Sequence, residues 1–110
     1  MNIHSIDWNE IEWAPVRHGV TRKAFSGEGA TVALHCLQPG HEPKPHNHIH
    51  EQIVYILSGT VDFHIGEEVV RLGPGCLAVV PSLVMHHAVV IGDEPVLNLD
   101  VFTPARPEYA

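Results

Sequence analysis

His46, His48, His50 and Gln52 stand two residues apart in the segment Pro45 to Gln52. On an extended chain, residues at i, i+2 and i+4 share one face. If this segment is extended, several imidazoles point the same way. Imidazole is the commonest metal ligand at neutral pH, and two such nitrogens can meet one ion at about 2.0–2.1 Å each. The spacing therefore predicts a metal site. The chain carries ten histidines in 110 residues, and four of them fall between positions 41 and 50. A tag remnant would be terminal and contiguous; this cluster is internal and alternating.

A second group that could do chemistry lies in Val96 to Phe102. Leu97, Leu99 and Val101 form one face of this run. Asn98, Asp100 and Phe102 form the other. An aspartate buried in so apolar a strand is costly unless it is paired or functional. The pattern alone leaves open whether Asp100 lines a cavity or faces solvent on an edge strand.

The elements that must position these groups read as strands. Thr31 to Leu37 is a β-rich run ended by Pro39-Gly40. Ile53 to Leu57 is apolar and ends at Ser58-Gly59. Thr60 to Ile65 alternates, with Val61, Phe63 and Ile65 opposite Asp62 and His64. Gly66-Glu67-Glu68 turns into Val69 to Leu72, and Gly73-Pro74-Gly75 turns into Leu77 to Val80. Met85 to Ile91 and Val96 to Phe102 follow. Ile6 to Trp13 fits a short strand or one helical turn, with Trp8 and Trp13 as anchors. Close-spaced strands with Gly/Pro turns and no capped helical period give an all-β sandwich or barrel.

The length allows one domain. Residues 1–26 read as an N-terminal strand or arm packing on the barrel or a dimer partner, and 27–110 as the barrel. Six Lys and Arg against 13 Asp and Glu give a formal net charge of −7. That disfavours nucleic acid and an anionic membrane, but one buried Arg can still bind one carboxylate. Cys36 and Cys76 sit in apolar runs and read as buried free thiols, which suits the cytoplasm. No signal peptide or transmembrane run is expected.

The chain also resembles a known family. Gly40, His46-Asn47-His48, Gln52 and Gly59 follow the first cupin motif, and Gly75, Pro81 and His86 the second. The resemblance implies a small single-domain cupin: an RmlC-like double-stranded β-helix, or jelly-roll barrel. It implies that His46, His48, Gln52 and His86 bind one divalent transition metal, with zinc, nickel, manganese and iron all admissible. Gln52 stands where the family usually has an acid, while the adjacent Glu51 points to the opposite face. Leu83 stands where Gly is common, and Val90 where Asn is common. His87 must face away from His86. His50 is in phase with the ligands but has no place in the motif. His35, His41 and His64 read as surface or satisfied histidines.

The stretch Asp100-Val101-Phe102-Thr103-Pro104-Ala105-Arg106 is similar to the C-terminal signature of KdgF cupins. These act in pectin and alginate breakdown and convert 4,5-unsaturated monouronates to linear keto forms. Their ligands, three His and one Gln, match the set above. The resemblance implies Asp100, Phe102 and Arg106 as active-site residues and a small anionic sugar acid as substrate. The alternatives are a non-enzymatic sugar- or small-molecule-binding cupin and a cupin dioxygenase. A homodimer is expected, with Leu97, Leu99 and Val101 as an available outer face.

Overall fold

Alternating apolar residues and Gly/Pro turns give nine strands among the described residues, 4–109, of this computed structural model. They are β1 (Ala14–Arg17), β2 (Val20–Ser26), β3 (Thr31–Leu37), β4 (Glu51–Ser58), β5 (Thr60–Ile65), β6 (Glu68–Leu72), β7 (Leu77–Val80), β8 (His86–Ile91) and β9 (Val96–Thr103). They form a six-stranded sheet, β1-β2-β3-β9-β4-β7, and a three-stranded sheet, β6-β5-β8. Every strand pairing is antiparallel. The fold is the expected all-β jelly roll.

The strand alternation decides what is buried. On β5, Val61 and Phe63 face in. On β9, Val96, Asn98, Asp100 and Phe102 are buried, while Leu97, Leu99 and Val101 are only partly so. Val54, Ile56, Val80 and Val96 from the large sheet meet Val61, Phe63 and Leu72 from the small one. Each such side chain stabilises the fold by roughly 1.5–3 kcal/mol when fully buried. Along β9 the inner face then changes from apolar Val96 to polar Asn98 and Asp100. Register fixes their neighbours: Asn98 lies between His35 and Ile56, Asp100 between Ala33 and Val54, and Phe102 between Thr31 and Gln52.

Gly59 closes the β4–β5 turn at φ +82°, and a Cβ there would fall 2.5 Å from the Pro95 carbonyl oxygen. Both the backbone angle and the space demand glycine. Before β1, Trp8–Glu10 forms one 3-10 turn capped by Asp7, whose Oδ1 accepts from Asn9 N at 2.8 Å. Lys23 Nζ donates to Trp8 O at 3.1 Å and lies 4.8 Å from the Trp13 ring centroid. The two tryptophans therefore pin this segment to the outside of β2. Residues 14–26 supply β1 and β2, and β2 pairs with β3 along its whole length. Residues 1–3 of the expected arm lie outside the described residues.

Both cysteines are free, but only Cys36 is partly buried; Cys76 is exposed. The expected burial fails because Cys76 leaves the Gly73–Gly75 turn onto β7, an edge strand whose Leu77 is 63% exposed. No helix among the described residues is long and apolar enough to cross a membrane.

Candidate metal centre

Pro45 to Gln52 is not one continuous strand, so alternation alone does not align these imidazoles. Only Glu51 and Gln52 belong to β4, and the chain bends at Ile49 and His50. The histidines converge because two loops are stitched together. His46 and His86 form an isolated antiparallel bridge, with N–H···O distances of 3.1 and 2.9 Å. Leu83 N donates to His48 O at 2.7 Å, and Ser82 Oγ donates to Ile49 O at 2.6 Å. Asn47 Nδ2 donates to Leu83 O at 3.2 Å. Leu83 makes these contacts at φ +68°. This explains why glycine suits the position; the left-handed backbone costs an L-residue roughly 1–2 kcal/mol.

The histidine hydrogen bonds assign the tautomers. His46 Nδ1 donates to Lys44 O at 2.7 Å, His48 Nδ1 to His50 O at 3.0 Å, and His86 Nδ1 to Val84 O at 2.9 Å. A carbonyl only accepts, so each Nδ1 carries the proton and each neutral ring leaves a lone pair on Nε2. His46, His48 and His86 place potential ligand atoms within 4.8 Å of one another. Gln52 Nε2 donates to Asp100 Oδ1 at 2.8 Å, which leaves its Oε1 free. That Oε1 sits 3.1 Å from His48 Nε2. Two lone pairs face each other there. His86 Nε2 is buried with no partner at all. A cation satisfies these acceptors together, so His46, His48, His86 and Gln52 fit one divalent metal ion. Glu51 is exposed on the other side of β4, and His87 stacks on His64 with ring centroids 4.2 Å apart. His50 lies beside the group, 5.4 Å from the His48 ring and 6.2 Å from Phe102.

Burial also keeps these rings neutral. It pushes His86 down to about 4 and holds His46 and His48 below the usual imidazole value, with the Arg106 charge adding to the effect on both. Neutral imidazoles are ready to bind metal without first releasing a proton. The unfolded chain, with imidazoles near 6.5, takes up protons before the folded one does. Metal-stripped protein is therefore expected to lose stability as pH falls from about 6.5 towards 4, with little imidazole-linked change above 7. Thermal melts at pH 7.5 and 5 check this; equal midpoints would contradict it.

Asp100 is 2% exposed and sits at the centre of a polar network. Its carboxylate accepts from Gln52 Nε2 at 2.8 Å and from Asn98 Nδ2 at 2.7 Å. His35 Nδ1 lies 2.8 Å from Asp100 Oδ2, although its angle falls short of a good hydrogen bond. The sequence places His35 among the surface or satisfied histidines; the structure puts it at the site. Its signal was the alternation Ala33, His35, Leu37 on β3, which places it on the inner face once that face is known.

Arg106 is tied to the barrel through its backbone N, which donates to Thr31 Oγ1 at 2.7 Å. Its guanidinium carbon lies 4.9 Å from the Phe102 ring centroid and 3.9 Å from Tyr109. Nε reaches Glu108 at 3.4 Å, while Nη1 is buried without a partner. Phe102 also meets His48 edge-on at 5.6 Å. The three predicted active-site residues and the four predicted ligands thus line one cavity of about 690 Å³, apart from His48, which abuts it. That volume suits a small molecule. Arg17, Arg22, Lys44 and Arg106 also line it, four of the chain's six Lys and Arg. The same cavity also carries the acids Glu42 and Asp100, so four cationic side chains face two anionic ones there.

The cupin domain profile matches residues 33–102, and the chain belongs to the cupin family. Among solved structures it is similar to KdgF from Halomonas sp., at 28% identity and TM-score 0.84, covering 94% of this chain and 97% of that one. It is also similar to an RmlC-like cupin from Shewanella frigidimarina, at 23% identity and TM-score 0.88, covering 99% and 97%. That second likeness supports the fold alone. No curated protein matches the sequence.

Proposed function

We propose that the chain is a metal-dependent cupin converting 4,5-unsaturated monouronates to linear keto forms. One observation carries the reading. Asp100, hydrogen-bonded to the ligand-bearing amide of Gln52, shares a cavity with the buried, unpartnered Nη1 of Arg106. A proton-transfer group and a carboxylate-binding group therefore flank the candidate metal ligands. The substrate class is the one implied by the resemblance of Asp100 to Arg106 to the KdgF signature, and the likeness to Halomonas KdgF is in keeping with it.

A bound divalent ion would supply Lewis-acid polarisation of a substrate oxygen. Arg106 holds the uronate carboxylate through charge-assisted hydrogen bonds. Phe102 packs against the sugar and fixes its register. Asp100 takes the proton of the anomeric hydroxyl. As C1 becomes an aldehyde, the C1–O5 bond breaks and its electron pair stays on O5. The resulting enolate gains the proton at C4 and becomes the C5 ketone. The proton removed is replaced, so the step is an isomerisation with no change of oxidation state. Buried amide donors from Gln52 and Asn98 keep Asp100 aimed throughout.

The test uses freshly generated 4,5-unsaturated galacturonate, followed by conjugated absorbance and proton NMR against the spontaneous reaction. Loss of the double bond that is faster and metal-dependent supports the reading. Metal-loaded protein that leaves the spontaneous rate unchanged removes it, and oxygen uptake would then be measured.

We further place the enzyme in the cytoplasm, in keeping with its free Cys36 and Cys76, and pair it as a homodimer. Ile53 and Val79 are opposite one another on the outer face, as are Tyr55 and Leu77; Val101 and Leu99 extend that face. Val79 is 51% exposed and Leu77 63%. So apolar an outer face gains by association. Light scattering is expected to give twice the chain mass, and Val79→Glu to give monomer. A monomeric parent protein would contradict this.

A further inference from the structure

One group at the cavity wall has no role in the chemistry above. Arg22, on β2, places its guanidinium carbon 3.5 Å from the Tyr109 ring centroid. Arg106 lies 3.9 Å from the same centroid. The two guanidiniums can be no further apart than those distances added together. Tyr109 arrives from the 3-10 turn Pro107–Tyr109, which folds back over β2 and β3 and packs edge-on against Phe102 at 5.4 Å. Arg22 is half-buried and, among the described residues, forms no ion pair and no side-chain hydrogen bond. Register places it opposite His35, which puts it on the inner face with the Asp100 network.

Two like charges held this close, partly removed from water, repel each other. Burial and the Arg106 charge both work against the charged form of Arg22. An arginine does not escape by losing its proton. The ring between them offers each a cation–π contact, worth roughly 0.5–2 kcal/mol. It leaves donors such as Arg106 Nη1 unused. The one carboxylate nearby, the exposed Glu108, meets only Arg106 Nε at 3.4 Å, which leaves Arg22 with no paired anion and Arg106 Nη1 free for a second one.

We propose that Arg22 and Arg106, spaced by Tyr109, form a two-guanidinium clamp that holds one ligand carboxylate. This deepens the carboxylate-binding role given to Arg106 and rests on that reading of the cavity. Arg22 then fixes which end of the substrate lies beneath the C-terminal turn. Tyr109 sets the gap between the two forks, so its ring matters more than its hydroxyl.

The experiment titrates zinc-loaded, full-length protein with D-galacturonate and, separately, with acetate. The readout is the pair of arginine Nε–H NMR signals, assigned through Arg22→Lys and Arg106→Lys. Both signals are expected to move together with one dissociation constant. Arg22→Gln and Tyr109→Leu should weaken binding about tenfold or more, as expected for a lost charge-assisted hydrogen bond, while Tyr109→Phe stays near wild type. Joint movement with acetate but none with galacturonate upholds the clamp and counts against the uronate reading. Movement of Arg106 alone, or of neither signal with either carboxylate, overturns the proposal, and this readout does not depend on the variants folding.

Discussion

Asp100→Asn is expected to abolish measurable turnover of 4,5-unsaturated galacturonate while metal content stays unchanged. A positioned general acid–base contributes about 10²–10⁴-fold, and an amide cannot shuttle the proton. Asp100 is not among the proposed ligands, so the lone pairs of His46, His48 and His86 remain as they are. The substitution also has a structural cost. Asp100 accepts amide protons from both Gln52 and Asn98. An asparagine there must turn its own NH₂ towards one of them, leaving a buried donor unsatisfied at about 1–3 kcal/mol. Some loss of melting temperature is therefore expected alongside the lost activity. Metal analysis separates the two effects: a variant that folds and binds metal but keeps full turnover would show that Asp100 moves no proton.

Gln52→Glu should be nearly as damaging, for a different reason. Gln52 uses its two ends for two tasks: Oε1 faces the histidine lone pairs, and Nε2 donates to Asp100 at 2.8 Å. A glutamate could still serve the metal, and its added negative charge favours hard divalent cations. It can no longer donate to Asp100. Two carboxylates would then meet at hydrogen-bond distance, and one of them must hold a proton. Turnover is expected to fall on the order of 10²-fold, the low end of what acid–base catalysis contributes. Metal should be retained at least as tightly. Kinetics alongside competitive chelation measures both, and a Glu variant as active as the parent would show that the Gln52–Asp100 contact is not part of the mechanism. On the proposed mechanism, the neutral amide links the ligand set to Asp100 without competing for its charge.

Much of this site was legible because it depends on local alternation. β3 spans Thr31–Leu37, as the run of β-formers indicated, and the two faces of β9 divide as Asn98, Asp100 and Phe102 against Leu97, Leu99 and Val101. The histidine cluster was legible for a partly mistaken reason. Its members converge through the bridge to His86 and the contacts of Leu83 and Ser82, which are long-range and leave no period in the sequence. His35 was missed because one polar residue in an apolar strand does not reveal which face is inside; pairing with β9 decides that. Arg22 and Tyr109 were missed because a short turn far along the chain brings them together. Cys76 was misplaced because an apolar run resembles a core strand even when it forms a sheet edge.

The claim on which the rest depends is that three imidazoles and one amide oxygen hold a single ion. Metal analysis of the purified protein, joined to X-ray absorption at the edge of the metal found, tests it most directly. The expected result is one divalent transition-metal ion per chain with three imidazole nitrogens in its inner shell, lost in His48→Ala and His86→Ala. Protein that binds no ion under metal-replete conditions, or that binds one equally well without His48 and His86, would contradict the account.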